Sequence, residues 1–279
     1  MPKIYNQGMT LKARNNFTLA LASIFLAVST AALVYYLYKL NLLRKGEALF
    51  NQEFSLGGIF LWKDSGWTLF FESVFMAAYI PIAAFCIYAR FEKTPSNEVA
   101  YFMLFLMGCV PELFRLCIPF ETVQASYPRL LILAGRALFW GRTLAFISLF
   151  AASLIAAESK AINVEQNIFI LLLFSLAIAN TVPVNTTKVS AAFNIQIGWP
   201  LFIYLLYALA ALLAFVSCAV NARMTENIRC AKLGGDILCM EAGFLLLNSS
   251  AVLAAVVVGA VLLFYGTFRY FYNLHRIYA

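Results

Sequence analysis

The sequence predicts an all-α protein, a multi-pass bundle of transmembrane helices with seven spans. Composition is the first observation behind this prediction: 63% of the 279 residues are hydrophobic and only 12% are charged, whereas soluble domains are about a quarter charged. The second is the recurrence of apolar runs of about 20 residues, which at roughly 1.5 Å per residue can cross about 30 Å of hydrocarbon. We therefore expect the lipid bilayer to surround most of the chain.

The first span follows an N-terminal tail, residues 1–16, whose basic residues precede the apolar run as they do in a signal peptide. That run is too long for a signal-peptide core, and Tyr35, Tyr36 and Tyr38 stand where a cleavage site needs small residues, so we predict an uncleaved helix. A membrane domain over residues 17–268 and a tail over 269–279 complete the chain. The predicted spans are about 17–38, 67–89, 99–119, 130–157, 167–184, 199–220 and 242–268.

Three longer connections separate these spans. Residues 41–66 carry apolar side chains among polar ones, as expected of a segment that lies on the membrane interface or folds over the bundle. Residues 185–198 and 221–241 are predicted as polar loops, and Gly234 and Gly235 suggest a break within the second. Cys230 and Cys239 share that loop, so they could form a disulfide if it faces an oxidising compartment.

The formal net charge of +7 does not indicate a nucleic-acid partner, because the basic residues are scattered between the apolar runs and form no basic stripe. They divide almost evenly between the two faces of a seven-span bundle. The small excess favours an N-terminus outside and a C-terminus inside a plasma membrane or bacterial inner membrane.

Five ionisable side chains lie inside or at the edge of apolar runs: Glu72, Glu112, Arg115, Arg136 and Arg142. Because the chain reverses at each span, the start of the second, the end of the third and the start of the fourth lie at one face of the bilayer. An unpaired charge in hydrocarbon costs at least roughly 2.5 to 3.5 kcal/mol, so we expect these side chains to face each other or water. Asn180 and Thr181, near the end of the fifth span, are predicted at the same level.

Two interpretations of this cluster remain open. In one, the charges are ion pairs that hold the bundle together, and Arg136 only marks the true start of the fourth span. In the other, they line a polar cavity open to one face, where three arginines exceed two carboxylates and favour an anionic or carboxylate ligand. Pro81 and Pro111 cannot donate a backbone hydrogen bond, so kinks are predicted in spans two and three, the second next to Glu112.

No motif in the sequence identifies a substrate or a reaction. The only histidine, His275, lies near the C-terminus, so His-based catalytic sites and metal sites within the bundle are not predicted, and we expect neither enzyme activity nor a cofactor. The first hypothesis is a small sensory or ligand-binding protein that takes a small anionic ligand and signals through a separate partner. The alternatives are a transporter or permease for small anions or carboxylates, and a structural subunit of a membrane complex.

Overall fold

A computed structural model describes residues 10–43, 65–94, 96–118, 128–155, 163–189, 194–249 and 252–278. Within these residues the chain forms eight α-helices, one 3₁₀ helix and two short strands. In chain order they are α1 (Leu11–Leu43), α2 (Ser65–Phe91), α3 (Glu98–Cys109), the 3₁₀ helix (Val110–Cys117), α4 (Pro128–Ile155), α5 (Val164–Thr181), β1 (Val184–Val189), β2 (Ile195–Ile197), α6 (Pro200–Met224), α7 (Ile228–Ser249) and α8 (Leu253–Tyr278).

The predicted fold class, a multi-pass helical membrane bundle, is confirmed. In the described part of the chain six helices, α1, α2, α4, α5, α6 and α8, are long and apolar enough to cross a membrane. Their outer faces carry exposed large hydrophobic side chains; on α6, for example, Leu201, Leu205 and Leu209 recur one turn apart and are 74%, 61% and 54% exposed. Such a stripe suits contact with lipid. The predicted number of seven spans is not confirmed.

The third predicted span consists of an α-helix followed by a 3₁₀ helix. α3 is buried over nearly its whole length and passes at Val110 into the 3₁₀ helix. Pro111 stands at the start of that helix and has no backbone N–H to continue the α-helical pattern. α2, in contrast, remains one α-helix through Pro81.

The predicted bounds of the seventh span and of the loop before it are wrong. Residues predicted as the loop 221–241 are mostly helical, because α7 begins at Ile228; the predicted span 242–268 is divided between the end of α7 and the start of α8. α7 packs between α6 and α8, and its polar residues Asp236, Glu241 and Asn248 are buried by protein. Gly234 does not break the helix: a Cβ there would lie 2.8 Å from the Cβ of Cys218, so this glycine lets α7 approach α6 closely.

The suggested pairing of Cys230 with Cys239 is also excluded by this helix. Both cysteines lie on α7 and both are free. Nine residues of α-helix rise about 13.5 Å, whereas the Cα atoms of a disulfide lie at most roughly 7 Å apart. The two thiols therefore cannot reach each other within one chain.

The predicted loop 185–198 contains a short antiparallel hairpin, a departure from the all-α prediction. β1 pairs with β2 in a register that sets Val184 opposite Ile197. The buried side chain of Ile195 joins Ile118 and Leu138 in a small core, so the hairpin is fixed on the first half of α4. We call this end of the molecule the hairpin end; the starts of α6 and α8 and the end of α7 also lie there.

The start of α1 and the end of α8 meet at the opposite end, which we call the terminal end. The Arg14 guanidinium donates hydrogen bonds to the backbone oxygens of Phe91, at 2.6 Å, and Ser96, at 3.0 Å. Tyr278 donates through its hydroxyl to Glu98 at 2.6 Å. The start of α1 and the end of α8 thus both contact the connection between α2 and α3. The seven-span prediction places the N-terminus and the C-terminus on opposite faces, whereas the described start of α1 and end of α8 lie at the same end of the bundle.

Candidate functional site

Four of the five predicted charges form one continuous chain of contacts inside the bundle. Arg115 on the 3₁₀ helix donates to the Glu72 carboxylate on α2 and lies 3.6 Å from Glu112, three residues before it. Glu112 in turn accepts two hydrogen bonds from Arg142 on α4, at 2.6 and 2.9 Å. All four residues are buried. We call Glu72, Arg115, Glu112 and Arg142 the ion-pair chain.

A close approach of α3 to α4 brings the ion-pair chain together. A Cβ atom on Gly141 would lie 2.5 Å from the Gly108 oxygen and 2.8 Å from Cγ of Pro111. No side chain fits between these backbones, so glycine is required. Arg142 directly follows Gly141, and Glu112 lies one turn beyond Gly108, so the same contact places guanidinium and carboxylate within hydrogen-bonding distance.

Arg136 is not part of the ion-pair chain. It is exposed, whereas Arg142 is buried. The step of six positions from Arg136 to Arg142 turns the helix by about 600°, which leaves their directions roughly 120° apart, and only that of Arg142 points into the bundle. Two arginines therefore balance two carboxylates, and the predicted surplus of positive charge is absent from this cluster.

Asn180 and Thr181 do not join the cluster either. Both are exposed on α5, and each side chain bonds to the backbone of its own helix, to the oxygens of Leu176 and Ile178 respectively. The buried side of α5 carries small residues such as Ser175 and Ala179 instead. The polar residues predicted at this level thus lie on the outside of the bundle.

The ion-pair chain continues through amide groups to the hairpin and α7. Arg142 donates through Nη2 to Oδ1 of Asn194 at 2.7 Å, and Asn194 donates through Nδ2 to the backbone oxygen of Asn248 at 2.6 Å. Asn194 directly precedes β2, and Asn248 lies in the last turn of α7. These bonds connect α2, the 3₁₀ helix, α4, the hairpin and α7 in one polar network.

A partly open cavity of about 380 Å³ lies where this network ends, at the hairpin end. This volume falls within the range of ordinary ligand pockets, roughly 300 to 1,000 Å³. Its wall is built by α4, the hairpin, α6 and α7, and among its residues are Arg142, Gln196, Tyr204, Tyr207, Phe244 and Asn248. The Tyr207 hydroxyl is 3.1 Å from that of Thr143, and its ring stacks on Phe146 with centroids 4.5 Å apart. Aromatic and aliphatic surface thus surrounds a few polar groups.

Two polar groups in this wall have unused hydrogen-bonding capacity. The side-chain amide of Asn248, a residue that is 2% exposed, makes no hydrogen bond through Nδ2 or Oδ1 to any residue that the structure describes. Arg142 uses Nε and Nη2, but Nη1 has no acceptor among the same residues. A buried amide without partners costs roughly 1 to 3 kcal/mol. The buried amide of Asn248 therefore lies beside the cavity with its donors and its acceptor unused.

Asn194 and Asn248 were not among the residues predicted from sequence. Asn194 lay in a segment interpreted as a loop, and its contacts join residues 52 and 54 positions apart, which no local pattern indicates. Asn248 did carry a signal, because the run Asn248, Ser249, Ser250 interrupts the predicted seventh span.

In comparisons with known proteins, no family model, curated protein or solved structure matches this chain.

Proposed function

We propose that this protein binds a small molecule in the cavity at the hairpin end and acts as a sensory module through a separate partner. One observation carries the proposal: Asn248 lines the cavity, and its buried side-chain amide has no hydrogen-bond partner among the described residues. Buried polar groups are nearly always paired in proteins, so an unpaired one beside a cavity favours a bound molecule that pairs it.

The chemistry of the wall favours a primary carboxamide as the polar end of the ligand. The amide of Asn248 offers two donors and one acceptor, and a primary amide can satisfy a donor and the acceptor at once. Nη1 of Arg142 can donate to the same ligand oxygen. A carboxylate ranks second, because it accepts from both groups but leaves Oδ1 of Asn248 unpaired.

The charge balance of the ion-pair chain also argues against a strongly anionic ligand. Arg142 is already held by both oxygens of Glu112, so a second anion would compete with an existing carboxylate. A neutral acceptor avoids that competition. The apolar part of the ligand would contact side chains such as Ile197, Ile203 and Phe244, which also lie in the wall.

The ion-pair chain supplies a route by which occupancy could reach other helices. A ligand that bonds to Arg142 gives this arginine a new partner. Because Arg142 is paired with Glu112, the change can pass to Glu112, then to Arg115, and finally to Glu72 on α2. We place the bundle in a plasma membrane or bacterial inner membrane, where a separate protein would detect such a shift. No catalytic step is part of the proposal.

The test is thermal unfolding of the purified full chain with paired probe compounds, primary amides and their N,N-dimethyl counterparts, which cannot donate. Primary amides should raise the unfolding temperature and their dimethyl counterparts should not. Asn248→Leu, which keeps size but loses both polar atoms, should weaken binding by about 1 to 3 kcal/mol, or roughly 5- to 150-fold. Asn180→Leu, on the outer face of α5, is the control. Equal shifts in wild type and Asn248→Leu would exclude this site.

A transporter of small solutes is the second candidate, and one observation favours it. Glu241 lies on α7 one turn further from the hairpin end than the cavity residues Phe244 and Leu245, so a polar group continues beyond the cavity. Uptake of a bound probe amide into proteoliposomes would support transport. Binding without uptake would support the sensory function. If neither is found and Arg142→Gln only lowers stability, a structural subunit becomes the better proposal.

A further inference from the structure

Glu241 is a buried carboxyl group without a hydrogen-bond partner among the described residues. The residue is 2% exposed, and neither Oε1 nor Oε2 accepts a hydrogen bond there. Glu72 and Glu112 are also buried, but each is paired with an arginine. Glu241 thus differs from the carboxylates of the ion-pair chain, because no described cation neutralises it.

Helix geometry places Glu241 on the side of α7 that faces α6. Gly234, seven residues earlier and therefore on nearly the same face, approaches Cys218 of α6, whereas Gly243 approaches Gly259 of α8. α7 packs against α6, α8 and α4, and its Phe244 ring contacts Phe105 of α3. The buried and half-buried ionisable residues on these helices are Tyr207 and Cys218 on α6, Arg269, Tyr270 and His275 on α8, Arg142 on α4, Glu98, Tyr101 and Cys109 on α3, and Cys230, Asp236 and Cys239 on α7 itself. None of them forms a hydrogen bond or ion pair with Glu241.

The same helix face leads from Glu241 to the cavity. Phe244 and Leu245, three and four residues later, lie in the cavity wall, and so does Asn248, seven residues later. Residues at these spacings lie on one side of a helix. Glu241 is therefore one helical turn below the cavity, on the side of α7 that carries the unpaired amide.

An ionised carboxylate is strongly disfavoured in such a place. The interior has a low dielectric constant, and an unpaired charge there is far less stable than the neutral acid. A proton is the smallest cation that can remove the charge, and it needs only a water molecule to arrive or leave. We propose that Glu241 is a proton-binding site of the bundle and that its proton exchanges with water in the cavity.

The exchange balances as transfer of one proton from a hydronium ion to the carboxylate, which gives the carboxylic acid and water. The first part of the proposal, proton binding, does not depend on a ligand. The second part, exchange by way of the cavity, rests on the proposed function, because a bound molecule would then close the water route. Closing this route would slow the exchange of the proton and leave its equilibrium binding unchanged.

The first experiment is infrared spectroscopy of the purified full chain at neutral pH. A protonated carboxyl absorbs at a C=O frequency well separated from that of a carboxylate. We expect this band in the wild type, its loss in Glu241→Gln, and its retention in Glu226→Gln, a change in the exposed turn before α7. An identical band in wild type and Glu241→Gln, or no band in either, would overturn the assignment.

Labelling with the apolar reagent dicyclohexylcarbodiimide gives independent evidence. A carboxylic acid adds to this reagent: its oxygen bonds to the central carbon, its proton passes to a nitrogen, and rearrangement gives a stable N-acylurea with no leaving group. Mass spectrometry should locate the adduct at Glu241, with a yield that falls as the pH rises. Glu72 and Glu112 should remain unlabelled, and labelling of these two at the same rate as Glu241 would contradict the proposal.

The exchange route is tested by filling the cavity. Leu245→Trp and, independently, Ile197→Trp place a larger side chain in its wall, whereas Leu205→Trp adds the same bulk on the outer face of α6. Transfer into heavy water shifts the carboxyl band, and this shift should become several-fold slower in the two cavity variants only. An unchanged rate in both would overturn exchange through the cavity, while proton binding and the ligand site would stand on their own tests.

Discussion

Arg142 and Glu112 are joined by two nearly parallel hydrogen bonds, from Nε to Oε1 at 2.6 Å and from Nη2 to Oε2 at 2.9 Å. The Glu112 side chain is 1% exposed and that of Arg142 10% exposed, so the pair is closed to the lipid and touches the cavity on one side. A two-pronged bond of this kind fixes orientation as well as distance. It fixes the position of α4 along the 3₁₀ helix. It also directs Nη1 of Arg142 away from the Glu112 carboxylate.

Removing one member of this pair should be costly. Glu112→Gln and Arg142→Gln each leave a buried charge without its partner, which typically lowers the free energy of unfolding by about 3 to 5 kcal/mol. The double variant should lose less than the sum of the two, because no unpaired charge remains. Denaturant titration in detergent micelles measures all three. Arg136→Gln, on the exposed side of α4, should stay within roughly 0.5 kcal/mol of wild type, and single variants as mild as this control would contradict a buried pair.

The contact between Gly108 and Gly141 gives a second prediction. Gly141→Ala would place a Cβ 2.5 Å from the Gly108 oxygen, and such overpacking costs about 1 to 3 kcal/mol. We expect a lower unfolding free energy and, since the helices must separate, a weaker Arg142–Glu112 pair.

Gly235→Ala is a matched control, because nothing lies within 4 Å of a Cβ built there. This change should be neutral or stabilising by up to about 1 kcal/mol, the difference in helix propensity. If the two alanine variants had equal stability, the close approach of α3 to α4 would be in doubt.

A third prediction concerns the terminal end. Arg14→Gln removes the charged donor that bonds to the backbone oxygens of Phe91, Thr94 and Ser96. Hydrogen–deuterium exchange should become faster in the connection between α2 and α3 and in the first turns of α1. Lys12→Gln, on an exposed position of the same helix, should leave exchange unchanged. Protection that persists in Arg14→Gln would show that the contact does not hold the connection in place.

A fourth prediction concerns the cysteines of α7. Cys230 and Cys239 are too far apart along the helix to pair, so mild oxidation of the full chain should give no linked peptide containing both residues. Peptide mapping without reducing agent, with fully reduced protein as reference, measures this. A substantial yield of the 230–239 disulfide within single chains would mean that residues 228–249 are not a continuous helix and would favour the loop predicted from sequence.

Hydropathy predicted the lipid-facing helices well, because a helix that contacts lipid must be apolar on its outer face. It failed for α7, whose neighbours are other helices. Asp236 accepts a hydrogen bond from Asn273 of α8 at 2.5 Å, and a polar residue with such a partner needs no water. The sequence of α7 therefore resembles that of a loop, although the segment lies inside the bundle.

The ion-pair chain was predictable in part for a related reason. Glu72, Glu112, Arg115 and Arg142 stand in apolar runs, where charges must find partners. Composition alone could not decide which face of α4 points inward, so Arg136 was grouped with them. The contribution of Asn194 and Asn248 depends on the hairpin fixed against α4, a long-range contact that residue types in one window do not reveal.

The most direct test of the ligand site is the nuclear magnetic resonance signal of the Asn248 side-chain amide in the full chain labelled with ¹⁵N at asparagine. Its signal is assigned by its disappearance in Asn248→Leu. When a primary amide that raises the unfolding temperature is added to saturation, this signal should shift strongly, while that of Asn180 on the outer face of α5 should not. If the compound binds and the Asn248 amide signal does not move, the ligand lies elsewhere and the cavity is not its site.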